Sequence, residues 1–291
     1  MTTVLEALQR AANRIGIPAP SSLSSNTKLL ALLYETNEDL RATRAFRQQL
    51  QSWSITLTAS RANYPMPPDF YAAKLGTHYD QTNSWPMAQQ SDPHWNYQLY
   101  GIGSSPSRKE YRVFGPDGAG SAATEGGQIQ ISPTPDAADV ISFDYVMAST
   151  LIPKYWAISE TVTAGHYRSA NGRIYSTAAG GITGSAVTSM PTGVGAQTAD
   201  NTISDWTWVS APYVTAIQTT DLLVFPDEVV ILGMIWRYFE RRREPFEVMK
   251  KLYDDSKAAA ISQMEGPTVV RGDGTRRHGR SYVQPGSWSF P

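Results

Sequence analysis

Side chains able to do chemistry are sparse in this sequence. Four histidines, His78, His94, His166 and His278, are scattered along the chain. None has a partner three or four residues away that would place two metal ligands on one helical face. Cysteine is absent, which removes disulfides, thiolate zinc sites and cysteine nucleophiles together. Ser25-Asn26-Thr27-Lys28 has the serine-x-x-lysine spacing of acyl-transfer enzymes, but its companion motifs are missing. It stands at a predicted helix start, where serine and asparagine serve better as caps. Asp254-Asp255 and the pair Glu240 and Glu244 offer the paired carboxylates of glycoside cleavage. They sit among Arg241 to Arg243, Lys250, Lys251 and Lys257, so ion pairs on charged helix faces, solvated or between subunits, are the better reading. No glycine-rich loop carries a strand into a helix with the lysine that phosphate binding needs. Arg271-Gly272-Asp273 matches a cell-adhesion tripeptide, a match that three residues reach by chance. The expectation is a chain with no catalytic residues, no cofactor and no metal.

Two groups of side chains suit binding instead. Trp156, Tyr167, Tyr175, Trp206 and Trp208 have ring faces of the kind that stack on sugar C–H surfaces. In so short a segment the same rings are the only large groups available for a core, and core is the preferred reading. The second group is Arg271, Arg276, Arg277 and Arg280, followed by Trp288 and Phe290. Arginine and buried aromatics are the usual anchors of an interface, so this tail reads as an arm that docks on a partner, ahead of a DNA-phosphate contact.

The elements that hold these residues follow from periodicity. Val4, Leu5, Leu8, Ala11, Ala12 and Ile15 recur at helical intervals and Gly16 and Pro18 stop them. A second helix is predicted after Ser21 to Asn26, with Leu29, Leu30, Leu33, Leu40, Phe46 and Leu50 on its apolar face. From Trp53 the period becomes two, with Ile55 and Leu57 continuing it. Tyr111, Val113, Ile129, Ile131, Val140 and Phe143 mark further strands of a small antiparallel region. Residues 154–211 change composition to threonine, serine, glycine and alanine and read as an inserted β module. Phe225-Pro226-Asp227-Glu228 opens a helix in which proline suits the first turn and two acids complement the dipole. Val229 to Phe239 is apolar almost all round, so deep burial is expected, Trp236 included. A last helix carries Phe246, Met249, Tyr253, Ala260 and Met264. Residues 266–291 have no apolar periodicity and are expected to gain structure only on docking.

The fold class is thus α+β. A core of residues 1–153 and 212–265 combines a helical bundle with a small β domain, and 154–211 and 266–291 add the module and an extended arm. With 291 residues, of which 41% are hydrophobic and 11% aromatic, the chain can bury one large core or two modest ones. A net charge of −1 makes the whole molecule no electrostatic trap for nucleic acid or anionic membrane. The longest apolar run, Val229 to Trp236, is too short to span a bilayer, and Met1 to Arg14 reads as a helix rather than a signal peptide. A soluble intracellular product is expected.

The order of these pieces resembles the head-to-tail adaptor family of tailed phages, the group that includes the tail tubular A proteins. The resemblance rests on the helix Thr3 to Gly16, the second helix running into Trp53 and Ile55 to Leu57, and the turn Tyr64-Pro65-Met66-Pro67. It continues through Tyr111-Arg112-Val113-Phe114-Gly115, Ile129 to Pro135, Ile141 to Tyr145 and the helix start at Phe225. Within 154–211, Trp156, Thr161, Val162, Gly165, Gly172, Tyr175, Gly180, Gly184, Pro191, Asp200 and Trp206 resemble a small β module of phage fibre and decoration proteins, similar to the chitin-binding type of carbohydrate-binding domain. The resemblance implies a virion structural protein made in the bacterial host cytoplasm. It further implies a ring of twelve copies below the portal protein that continues the DNA channel, passes DNA without sequence specificity and attaches tail or nozzle proteins. Arg271, Arg276, Arg277, Arg280, Trp288 and Phe290 would then dock on the portal or on an adjacent subunit. The competing reading is a glycan- or receptor-binding tail component acting through 154–211.

Overall fold

The computed structural model describes residues 2–43, 46–67, 69–74, 76–90, 108–114, 127–170, 173–186, 191, 196–200, 203–209 and 212–265. Four helices lie among them: α1 (Val4–Ile15), α2 (Thr27–Thr43), α3 (Asp227–Arg241) and α4 (Glu247–Glu265). Thr3 and Glu6 close a reciprocal capping box at the start of α1, and Gly16 ends it at φ 82°, the left-handed conformation glycine adopts without strain. Asn26 caps α2 through its carbonyl oxygen, which accepts from the Leu29 amide, and Ser25 bonds back to Ser22. Capping is therefore what the serine-x-x-lysine segment does here.

Helix α2 ends at Thr43. Its apolar period continues through Phe46 and Leu50, but Phe46 leaves the helix to pack edge-on against Phe225 at 5.3 Å, and Leu50 opens a strand. Long-range packing therefore overrides the local period here.

Two sheets face each other across the core. In the first, β1 (Leu50–Thr56) pairs antiparallel with β9 (Val140–Met147), whose other edge receives β3 (Phe70–Ala73) and β4 (Tyr79–Asp80), with β5 (Trp85–Pro86) outermost. In the second, the order is β2 (Asn63–Pro65), β8 (Gln128–Ser132), β7 (Glu110–Phe114) and β6 (Ala88–Gln89). The pairing of β6 with β7 is parallel, a departure from the expected all-antiparallel region. Alternation puts Ile55, Ile129, Ile131, Ile141 and Phe143 inside.

Beyond β9, β10 (Leu151–Ile152) pairs with β17 (Leu222–Leu223), and Thr3 bridges to Leu222 on the same short ladder. The segment between these two strands holds β11 (Thr161–Val162), β12 (Tyr167–Ala170), β13 (Arg173–Ser176), β14 (Gly181–Ile182), β15 (Ala196–Asp200) and β16 (Ile203–Trp208). These form a sheet in the order β12, β13, β16, β15 and the separate pair β11 with β14. Trp156, Val162, Ala170, Tyr175, Ile203 and Trp206 fill a small core of their own. Tyr167 and Ile174 nevertheless pack on the main core, so the segment leans on the body along one face.

Candidate functional site

The acids that open α3 tie the first residues of the chain to this helix. Asp227 accepts from the amide and hydroxyl of Thr2, and Glu228 takes the Arg14 guanidinium through two bonds of 2.6 and 3.0 Å. Along α3, Val229, Val230, Ile231, Gly233, Met234 and Ile235 are buried, but burial then fades. Trp236 is only partly buried, a correction to the expected deep position. Its ring meets Phe246 at 6.3 Å and Tyr253 at 6.1 Å, and the Arg237 guanidinium lies 4.4 Å from its centroid. The physical reason is that α4 covers this end of α3 with one buried side chain, Tyr253.

Polar bonds then fix the three-helix junction. Arg237 donates to Thr36, to the Gly233 carbonyl and to Asp39, while the Tyr253 hydroxyl donates to Asp39 at 2.5 Å. Burial opposes the Asp39 charge, but the Tyr253 hydrogen bond, Lys257 and Arg237 outweigh it and hold the carboxyl below its ordinary range. The next residues, Arg241, Arg242 and Arg243, are exposed at the turn into α4, with Arg241 on Glu35 and Arg242 on Glu244 at 2.8 Å. Asp254 and Asp255 stand exposed on α4.

Between the sheets, His78 is buried and stacked, with Tyr111 at 3.6 Å on one face and Phe143 at 4.8 Å on the other. Neither ring nitrogen has a hydrogen-bond partner among the described residues. Burial alone lowers its pKa to about 3, so the ring is neutral at physiological pH. Next to it Lys109 bridges Asp80 at 2.7 Å and Asp139 at 2.5 Å, and Asn83 donates twice to Asp80. Burial works against the Lys109 charge, yet the two carboxylates hold it above the usual lysine range. Lys109, Asp139 and Asn83 back a cleft of about 480 Å³ edged by Trp85, Pro133, Pro135 and Asp136. No cluster of three or more metal-ligating side chains occurs among the described residues.

In the segment 154–211 the structure brings three of the five aromatic residues together. Trp156, Tyr175 and Trp206 are buried in the small core, and Tyr167 stacks at a tilt on Tyr213 at 5.4 Å. Trp208 lies opposite Tyr175 in the β13–β16 register. The described rings therefore form no open strip for a sugar. Arg168, missed in the sequence, does more here: buried, it donates to both Glu160 oxygens, to the Tyr167 carbonyl and to Gln218 at 2.9 Å. Because Gln218 belongs to the return segment, this arginine clamps the module to the body. Arg173 adds a cation over the Trp53 ring at 5.8 Å. Neither contact has a local spacing that sequence reading could detect.

Arg271, Arg276, Arg277, Arg280, Trp288 and Phe290 lie outside the described residues, as do His94 and His278. No helix among the described residues is long and apolar enough to cross a membrane.

A family model described as SU10 adaptor protein matches residues 2–164, more than half of the 291-residue chain. The chain belongs to the SU10 adaptor protein family. It is therefore a phage virion adaptor protein, of the kind that works between portal and tail proteins. No curated protein matches the chain. The match takes in α1, α2, both facing sheets and the start of the module, and stops before the module closes, so α3 and α4 of the adaptor lie beyond it.

Proposed function

We propose that this adaptor is a mechanical part without catalysis, copies of which form a ring, twelve by the family resemblance, below the portal. The ring continues the DNA channel and presents a surface to tail or nozzle proteins. The observation that carries this reading is the family match over α1, α2 and both sheets. Its near-neutral net charge of −1 suits a channel that must pass DNA without clamping phosphates.

In this reading the tail arginines and the terminal Trp288 and Phe290 anchor on the portal. The test is cosedimentation of full-length and 1–265 protein with portal rings at moderate salt. Full-length protein should bind and the shorter chain should not. Equal binding by both removes the arm, and binding lost on raising salt alone assigns it to the arginines. The module is read as a rigid attachment held by Arg168, since three of its candidate sugar-stacking rings are its core. Specific retention of any glycan on an array would restore the glycan-binding reading.

A further inference from the structure

Helix α4 is 19 residues long, yet Tyr253 is its one buried side chain among those described. Met249, Tyr253, Ala260 and Ile261 face α3 and the core. On another face of the same helix Val248, Leu252, Asp255 and Ala259 recur at intervals of four, three and four residues, with Lys251 one turn from Val248. Val248 is 71% exposed and Leu252 47%, the only large aliphatic side chains of the described helices left so open. Lys251 and Asp255 are also exposed, and neither has an ion-pair partner among the described residues.

We infer that this stripe is a self-complementary surface through which two copies of the adaptor pair off the particle, α4 against α4 and antiparallel. The charges carry the choice of partner. An antiparallel crossing centred near Tyr253 brings Lys251 of each copy opposite Asp255 of the other, forming two ion pairs about one two-fold axis. The same crossing sets Val248 opposite Ala258 and Ala259, small residues that leave room for it. A patch that matches itself closes as a pair, whereas a ring needs two different patches. The pairing is thus separate from ring formation and does not rest on the ring reading. One helix stripe per copy is a small contact, so an affinity on the order of micromolar is expected.

Sedimentation equilibrium between about 1 and 300 µM spans that expected affinity. The wild-type chain should show a concentration-dependent dimer. Leu252→Asp should weaken it at least tenfold with an unchanged helical circular dichroism spectrum. Lys251→Asp and Asp255→Lys should each weaken it, and mixing these two variants should restore it in a mixed dimer, because the charges then match across copies. A monomeric wild type, a dimer unaffected by Leu252→Asp, or a mixture no tighter than either variant alone would overturn the inference. A dimer seen only in the 1–265 chain would also overturn it, since residues 266–291 would then be the occupant of the stripe. None of these outcomes touches portal binding, so the adaptor reading stands or falls separately.

Discussion

Helices α3 and α4 are neighbours of similar length with opposite allegiances. In α3, six residues from Val229 to Ile235 are buried, Gly233 among them, and its first acids hold Thr2 and Arg14. In α4, one side chain is buried among the described residues and the outer stripe is half apolar. Helix propensity alone does not hold an isolated segment of this length firmly in water, so α4 depends on α3 and on the Asp39 junction. One helix is built to fold the chain, and the other to offer a face after folding. Substitutions along the pair should therefore shift from stability to association.

The largest loss should come from the inner end. Met234→Ala, at a fully buried position, should cost about 2 to 5 kcal/mol in chemical denaturation. A loss near zero would mean that α3 is not the keel of the fold.

The buried sandwich between the sheets supplies a second, pH-dependent case of an interior built for folding. The folded pKa of His78, about 3, lies below its unfolded value, so the unfolded chain binds the extra proton. Stability then falls as pH drops below about 6.5 and goes on falling toward the folded pKa, by roughly 3 kcal/mol at pH 4. Loss of the Asp80–Lys109 pair, whose carboxyl is held low, acts in the same direction at lower pH. His78→Phe should remove most of the dependence between pH 6.5 and 4, as read from melting temperatures. An unchanged slope would place the acid sensitivity elsewhere.

Gly233 is where α2 crosses α3, and a Cβ there would drive into the Thr36 methyl. Gly233→Ala should cost about 1 to 3 kcal/mol through overpacking, although alanine is the better helix former. Trp236→Ala should cost about 2 kcal/mol, less than a core tryptophan, because its ring is only partly buried. The smallest effect should be at the outer face, where Leu252→Ala changes monomer stability by less than about 0.5 kcal/mol. A large loss there would erase the contrast between the two helices.

Much of this was legible in the sequence, and the failures share one cause. The three-and-four spacing of Val4 to Ile15 with Gly16 defined α1, and the period of two through Ile55 and Leu57 defined β1, because both patterns are local. Phe46 continues the α2 pattern but belongs to a contact with Phe225, far along the chain. Trp236 sits in an apolar run yet stays only partly buried because α4 covers it thinly. The Lys109 pairing with Asp80, the His78 stack and the Arg168 clamp join segments that only the assembled sheets bring together. Trp156, Tyr175 and Trp206 fill a small core within 154–211, since a short β segment has little else to bury.

The central claim is that this adaptor forms a ring on the portal. Electron microscopy of the purified full-length chain mixed with the portal protein of its own phage tests it most directly. A closed ring of density added coaxially to the portal, continuing its channel, is the expected result. Portal particles unchanged in size and symmetry at saturating adaptor would contradict the account.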